Sequence, residues 1–356
     1  SSPVATSPSA PSSPSAPSCF VGIDVAKAEL VIAKGNIRTN GKNTAASKNT
    51  AAPQTIANRE RNIKRWLKAL PQGSALIVES TGIYHRLICD LAFELGFTVY
   101  LINPHWLCSY RKAQGKRAKT DRCDAQLLLQ YGEQNHQELR PYQPVSPEGQ
   151  RLTQLLRERS QVMSQLVALR QSLAPLKGNR ISPLDIPIEE KAGSIIQELK
   201  KLVALFDLRI ENLVKTQSGW DEQAQRLRQM PGLGPLSVAA LLAAFERGDF
   251  ETSESFVAYL GLDPVACDSG THHGKRRISK KGDPIVRKTL YMAATAAMRT
   301  KTWKEFAQRY QDRGLHHNQV ACIVARRMAV TVWCLLKRGT EFNPEKLFRL
   351  NPCTQT

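Results

Sequence analysis

Apolar positions recur along this chain with two different periods, and the change of period divides it. Cys19 to Val25 and Glu29 to Lys34 are short apolar runs rich in β-branched residues and predict two strands. Residues 35 to 55, dominated by Gly, Asn, Thr, Lys and Ala, predict a polar loop or hairpin. Ile63, Trp66, Leu67 and Leu70 fall at helical spacing and predict a helix over 56–70, stopped by Pro71-Gln72-Gly73. Ala75 to Glu79 reads as a buried strand, Leu87, Ile88, Leu91 and Leu95 share one helical face, and Phe97 to Ile102 is another β-rich run before Asn103-Pro104. A further helix opens at Thr120. This strand-and-helix order predicts an α/β domain over 19–145, with Pro141, Pro144 and Pro147 at its exit.

Beyond the prolines the period becomes helical throughout. Leu152, Leu155, Leu156, Val162, Leu166, Leu169 and Leu173 predict one long helix, and Ile195, Leu199, Leu202, Phe206, Ile210 and Leu213 a second. The pair forms either a hairpin within the chain or a seam between copies, giving a coiled-coil-like linker over 146–222. A mainly α-helical domain over 223–345 follows, with helices predicted at 236–245, 284–298, 303–313 and 318–337. Pro231-Gly232-Leu233-Gly234-Pro235 resembles the turn of a helix-hairpin-helix, whose amides face a phosphate, although a plain helix start reads the same way. Residues 1–18, Ser, Pro and Ala apart from Val4 and Thr6, predict a disordered tail without a secretory signal, and 346–356 a second tail.

Charge narrows the partners. Fifty Lys and Arg against 31 Asp and Glu leave a formal net charge of +19, which points to a polyanion, with nucleic acid ahead of an anionic membrane surface. The longest apolar runs, Val238 to Phe245 and Met328 to Leu336, are too short to span a bilayer. Eight cysteines without a C-x-x-C pair suggest neither a zinc ribbon nor a disulfide framework, which fits a reducing cytoplasm.

Against this basic background four acids stand out. Asp24 lies within an apolar strand and Glu79 ends another, and buried carboxylates need partners. Asp121 and Asp124, three residues apart where Ala125-Gln126-Leu127-Leu128-Leu129 begins a helix, share a face of its first turn. In the simplest reading Thr120 caps that helix and the acids complement its dipole, at about 0.3 to 1 kcal/mol per charge. If the fold gathers all four, like charges about 4 Å apart repel by roughly 4 kcal/mol at an effective dielectric near 20. Such a cluster holds protons or a hard cation, magnesium or manganese.

The segments Val21-Gly22-Ile23-Asp24, Glu79-Ser80-Thr81-Gly82, Ile102-Asn103-Pro104 and Ala118-Lys119-Thr120-Asp121 with Asp124-Ala125 resemble, in order and spacing, the RuvC-like DEDD domain of a bacterial insertion-sequence transposase family that includes the Piv-type invertases. Gly261-Leu262-Asp263-Pro264, Asp268-Ser269-Gly270, Ile278-Ser279-Lys280-Lys281-Gly282 and Arg287-Lys288-Thr289-Leu290 resemble that family's C-terminal domain, although Val286 stands where leucine is more typical. The resemblance implies a ribonuclease H-like (RuvC-like) fold for the first domain, magnesium or manganese on Asp24, Glu79, Asp121 and Asp124, and Ser269 as nucleophile. It further implies a bridge RNA that guides donor and target DNA, assembly as dimers or tetramers, and an active site shared between protomers. Lys116, Arg117, Lys119, Lys275, Arg276, Arg277, Lys280, Lys281, Arg287 and Lys288 are the expected nucleic-acid contacts, with Gly232 and Gly234 at the turn. His272 and His273 are candidates to take the serine proton, whereas a zinc site built from them with His316 and His317 lacks further ligands.

These expectations describe a recombinase that cuts a strand through a phosphoserine link and rejoins it to another duplex. A metal-dependent junction endonuclease, in which the acids activate water, is the alternative, and an RNA-binding assembly factor is a third. The protein is expected in the cytoplasm, with no membrane partner.

Overall fold

Seven residues, Cys19–Val25, form β1 at the centre of a five-stranded sheet. A computed structural model describes residues 17–36, 52–80, 83–115, 120–173, 186–265, 268–269, 272–273 and 277–347. The chain divides into two compact units, 1–144 and 145–356.

In the first unit β1 pairs antiparallel with β2 (Glu29–Lys34), which pairs antiparallel with β3 (Gln54–Ala57). On its other side β1 runs parallel to β4 (Ser74–Glu79), and β4 runs parallel to β5 (Thr98–Ile102), giving the order β3-β2-β1-β4-β5. Helices cover both faces, as parallel pairing requires. α1 (Glu60–Lys68) and α2 (Arg86–Glu94) cover one, where Val21, Ile23, Leu76 and Val78 pack with Ile63, Leu67, Ile88 and Leu91. α3 (Pro104–Ala113) and α4 (Asp121–Asn135) cover the other, where Phe20, Ala75, Ile77 and Ile102 pack with Leu107, Ala125, Leu128 and Leu129.

The approach of α4 to the sheet depends on two glycines. A Cβ at Gly22 would collide with the Ala125 carbonyl oxygen and the Leu129 amide of α4, and one at Gly132 with the Ile77 side chain of β4. Glycine at both positions lets the helix backbone settle directly against β1 and β4. The first turn of α4 is thereby brought to the carboxyl ends of those strands.

The second unit opens with α5 (Pro147–Leu173) and α6 (Ile186–Thr216). They pack on each other within the chain as an antiparallel hairpin, with Arg159 donating to Asp207 at 3.0 Å and Leu152 and Leu155 sharing a core with Ile210 and Val214. α7 (Trp220–Arg228), α8 (Pro235–Phe245), α9 (Ser253–Tyr259), α10 (Pro284–Ala297), α11 (Lys301–Gln311) and α12 (His317–Arg338) follow. Every residue of α8 from Ser237 to Ala244 is buried, the signature of a helix enclosed on all sides. By length and composition α12 could cross a membrane. Its Val320, Val324, Met328 and Val332 are buried in the unit's core, so it serves as a core helix here.

Several expectations need correction. The expected helix over 56–70 is α1 alone, because residues 54–57 pair with β2 as an edge strand. α6 starts at Ile186, nine residues before the first leucine-like repeat position read from the sequence. α3, α7 and α9 were not anticipated, and Pro344–Leu347 forms a 3₁₀ turn that buries Leu347. Both expected tails lie almost wholly outside the described residues, as does most of the 35–55 segment.

Gly22→Ala is expected to destabilise the protein by roughly 1 to 3 kcal/mol through overpacking, read as a lowered urea midpoint. Gly193→Ala in α6, where a Cβ meets nothing within 4 Å, is the control and should be neutral or stabilising. Equal midpoints for Gly22→Ala and wild type would show that α4 has room to move off the sheet.

Candidate acidic centre and serine loop

Strand parity sets the acidic centre. Phe20 and Ala75 face α4, so two-residue alternation places Asp24 on that face of β1 and Glu79 on that face of β4. The ladder pairs Ile23 with Val78, so Asp24 and Glu79 stand one step further along, on neighbouring parallel strands. Asn58 fixes the turn that follows Asp24, donating to the Ala26 and Tyr84 carbonyl oxygens at 3.0 and 3.3 Å.

α4 supplies the other two acids. Thr120 caps the helix in extended conformation, its hydroxyl oxygen accepting from the Cys123 amide at 3.3 Å. The capping expected from the sequence is therefore present together with the clustering, for the two do not compete. Asp121 is exposed, whereas Asp124 is buried at 6% exposure.

The other three carboxylates act on Asp24. Asp24 is pushed up to about 6, first by burial and then by the negative charges of Glu79, Asp121 and Asp124, against a backbone hydrogen bond at Val25 that lowers it. Arg111 of α3 forms an ion pair with Asp124, both side chains being largely buried. No sequence pattern suggested that cation, because its role arises only when α3 packs on α4.

The donor set suits a hard divalent ion: all oxygen and negatively charged, with the carboxyl of Asp24 raised by burial and by its acidic neighbours. With Asp124 engaged by Arg111, the acids form an electrostatic cluster rather than a closed ligand shell. Among the described residues no three His, Cys, Asp or Glu side chains make a ready metal cage. Lys116, Arg117 and Lys119 lie outside the described residues.

The second unit carries the serine on a hairpin of short ladders rather than in a featureless loop. β6 (Pro264–Val265) pairs with β9 (Arg277–Ile278), and β7 (Asp268–Ser269) pairs with β8 (His272–His273), with Ser269 opposite His272. The stem is closed below β6 and β9. Ser279 donates its amide to the Asp263 carbonyl at 2.9 Å, its hydroxyl also donates to the Asp263 carboxylate, and the Lys280 amide donates to Gly261 at 3.1 Å. Lys280 adopts φ 57°, alone among the described non-glycine residues, and Gly261, at φ 70°, leaves no Cβ to obstruct the amides of Lys281 and Gly282. Asp263 and Ser279 thus hold the base of the serine hairpin, a role their sequence motifs did not reveal.

The basic residues divide. Arg277, Lys280, Lys281 and Lys288 are exposed, whereas Arg287 donates to the Gly282 carbonyl at 3.0 Å and ties the stem to α10. Lys275 and Arg276 lie outside the described residues. At the expected helix-hairpin-helix turn, Gly232 has φ 102° and abuts α10, where a Cβ would strike Ala297 and the Ala293 carbonyl. Gly234 faces open space as the cap of α8. His316 caps α12, and among the described residues it joins no group of metal ligands.

Residues 21–176 match a family model described as a transposase of the DEDD IS110 type, and residues 224–311 match one described as the transposase of the IS116/IS110/IS902 family. The pilin gene-inverting protein of Moraxella bovis is 25% identical over 91% of this chain and 97% of its own length. A probable family 20 transposase of Pseudomonas aeruginosa is 28% identical over 79% of this chain and 89% of its own. The transposase of insertion sequence element IS1328 from Yersinia enterocolitica is 32% identical over a shorter stretch, 38% of this chain and 42% of its own. These findings place the protein among the DNA-recombining enzymes, as a transposase. Both matches are to transposases of the IS110 group, the DEDD match lying in the N-terminal part of the chain and the IS116/IS110/IS902 match in the C-terminal part.

The raised Asp24 has a consequence for stability. The folded protein keeps this proton up to about pH 6, while the unfolded chain releases it near 3.8, so stability falls as pH rises through that interval. In chelator-treated protein, Asp24→Asn should gain melting temperature relative to wild type from pH 4 to pH 6 and hold the gain above. Parallel melting curves across the interval would refute the clustering of the acids.

Proposed function

We propose that this transposase cuts and rejoins DNA by a serine-dependent strand transfer assisted by magnesium or manganese. The observation that carries the reading is the convergence of Glu79, Asp121 and Asp124 on Asp24, whose carboxyl is pushed up to about 6 by burial first and then by their charges. The order of strands, with the acids at the ends of β1 and β4, supports a ribonuclease H-like fold for the first unit. Asp24, Glu79, Asp121 and Asp124 would hold the divalent ion, which supplies Lewis acidity toward phosphate oxygens.

In this reading the Ser269 oxygen bonds to phosphorus, and the departing strand oxygen leaves as a hydroxyl. Attack by a hydroxyl of another strand reverses the step, restores the phosphodiester and frees the serine, so no high-energy cofactor is consumed. His272, the backbone partner of Ser269, is assigned as proton acceptor. The exposed cations at Arg277, Lys280, Lys281 and Lys288 support contact with the phosphate backbone.

The motif resemblance extends the proposal to a bridge RNA as guide, and to action in the bacterial cytoplasm. Assembly as a dimer or tetramer is supported by α6, where Ile188, Ile195 and Leu202 recur every seven residues and remain 60%, 44% and 40% exposed. A second reading, a junction endonuclease whose acids activate water, is favoured by the acidic quartet lying wholly in the first compact unit.

Incubation with cognate DNA, guide RNA and magnesium should give a denaturation-resistant protein–DNA adduct that Ser269→Ala loses. Cleavage that survives Ser269→Ala without an adduct would instead establish the endonuclease. Asp121→Asn should slow strand cleavage by on the order of a thousandfold, the rate equivalent of several kcal/mol of lost charge stabilisation. Unimpaired cleavage by that variant would count against both readings.

A further inference from the structure

Beside the stem of the serine hairpin the second unit has a cavity of about 220 Å³ that none of the proposed steps employs. Its depth is apolar, formed by Leu262 and Ala325, which are 1% and 0% exposed, together with Ile278. Tyr291 and Cys322 line it as well, and the Tyr291 hydroxyl donates to Asn318 at 3.0 Å. Arg287 and Lys288 complete the lining, Lys288 exposed, and no carboxylate is among the described lining residues. A third cation stands close, since Lys280 pulls the Cys322 thiol down against the burial that pushes it up.

This combination selects its occupant. A wholly apolar ligand would gain nothing from two or three cations, and a free phosphate would gain nothing from an apolar slot. A duplex is too wide to enter. A single base turned out of its stack presents flat apolar faces and carries its phosphate with it. In an enzyme that acts on DNA, we propose that this slot takes one unstacked nucleobase of the DNA strand, with the adjoining phosphate on Lys288 and Arg287. The base would be held beside the hairpin that bears Ser269, so that strand distortion and placement of the phosphodiester occur in one binding event. The inference deepens the strand-transfer reading, but its test involves no serine chemistry.

The full chain carrying Ser269→Ala is alkylated with iodoacetamide in the presence of oligodeoxythymidylate or an abasic strand of the same length, and Cys322 is followed by peptide mass spectrometry. Exposed Cys108, in the other unit, is the internal reference. Thymidylate should slow Cys322 alkylation relative to Cys108 by about fivefold or more, the equilibrium worth of one stacked base, while the abasic strand leaves it almost unchanged. Equal protection by both strands would overturn the proposal in favour of phosphate contact alone. Absence of protection would overturn it too, and protection by oligouridylate alone would overturn the assignment to DNA. A second measurement replaces one thymine with 2-aminopurine: its fluorescence should change on binding, and Ala325→Met, which fills the slot, should abolish that change without abolishing strand binding. An identical change with Ala325→Met would place the base elsewhere.

Discussion

The close approach of α4 to β1 is the constraint on which the acidic centre depends. Gly22 has no side chain, and the Ala125 carbonyl and Leu129 amide occupy the space one would fill. Asp24 lies two residues along the same strand, and Asp124 immediately precedes Ala125, so this tight packing contact adjoins Asp24 and the buried Asp124. Moving the helix outward by the width of a methyl group would weaken both the burial and the repulsion that raise Asp24. Packing density and electrostatic strain are thus the same variable here, set by a residue with no chemistry of its own.

Arg111 offsets part of that strain. A buried carboxylate such as Asp124 without a partner is costly, and the guanidinium of α3 provides one from within the same unit. The serine hairpin relies on different physics. Its ladders are only two residues long, too short to be stable alone, and its base is held by the Asp263–Ser279 bonds and by the Gly261 and Gly282 contacts. One centre is held by a packed sheet and helix, the other by hydrogen bonds at the root of a loop.

Much of this was legible in the sequence where local pattern and tertiary role coincide. An acid within the apolar run of β1 and another ending β4 announced their positions, and Thr120 before Asp121 announced the start of α4. The parity that aims Asp24 and Glu79 at one face follows from the period of a strand. Elements whose existence depends on partners far along the chain were not legible. β3 is four residues long and pairs across a long intervening segment, while α3 buries Leu107 but shows little amphipathic repetition. Arg111 was invisible for the same reason: its meaning comes from a helix docking that no local spacing encodes. The hairpin strands were lost among glycines and cations that read as loop, and the Lys280 backbone conformation left no trace in residue type.

The Arg111–Asp124 pair also bears on how the proposed ion would be loaded. Proteins whose ligands have no internal counter-charge fold only as the metal arrives, so folding and loading are one event. Here a cation encoded in the chain already partners the most buried acid, and a hydrophobic sheet supplies the framework around it. Folding and loading become separable, so the newly made chain can reach its native state before meeting an ion. In the proposed metal-assisted reaction, supply of the ion would set when the protein is competent, without setting how much of it survives.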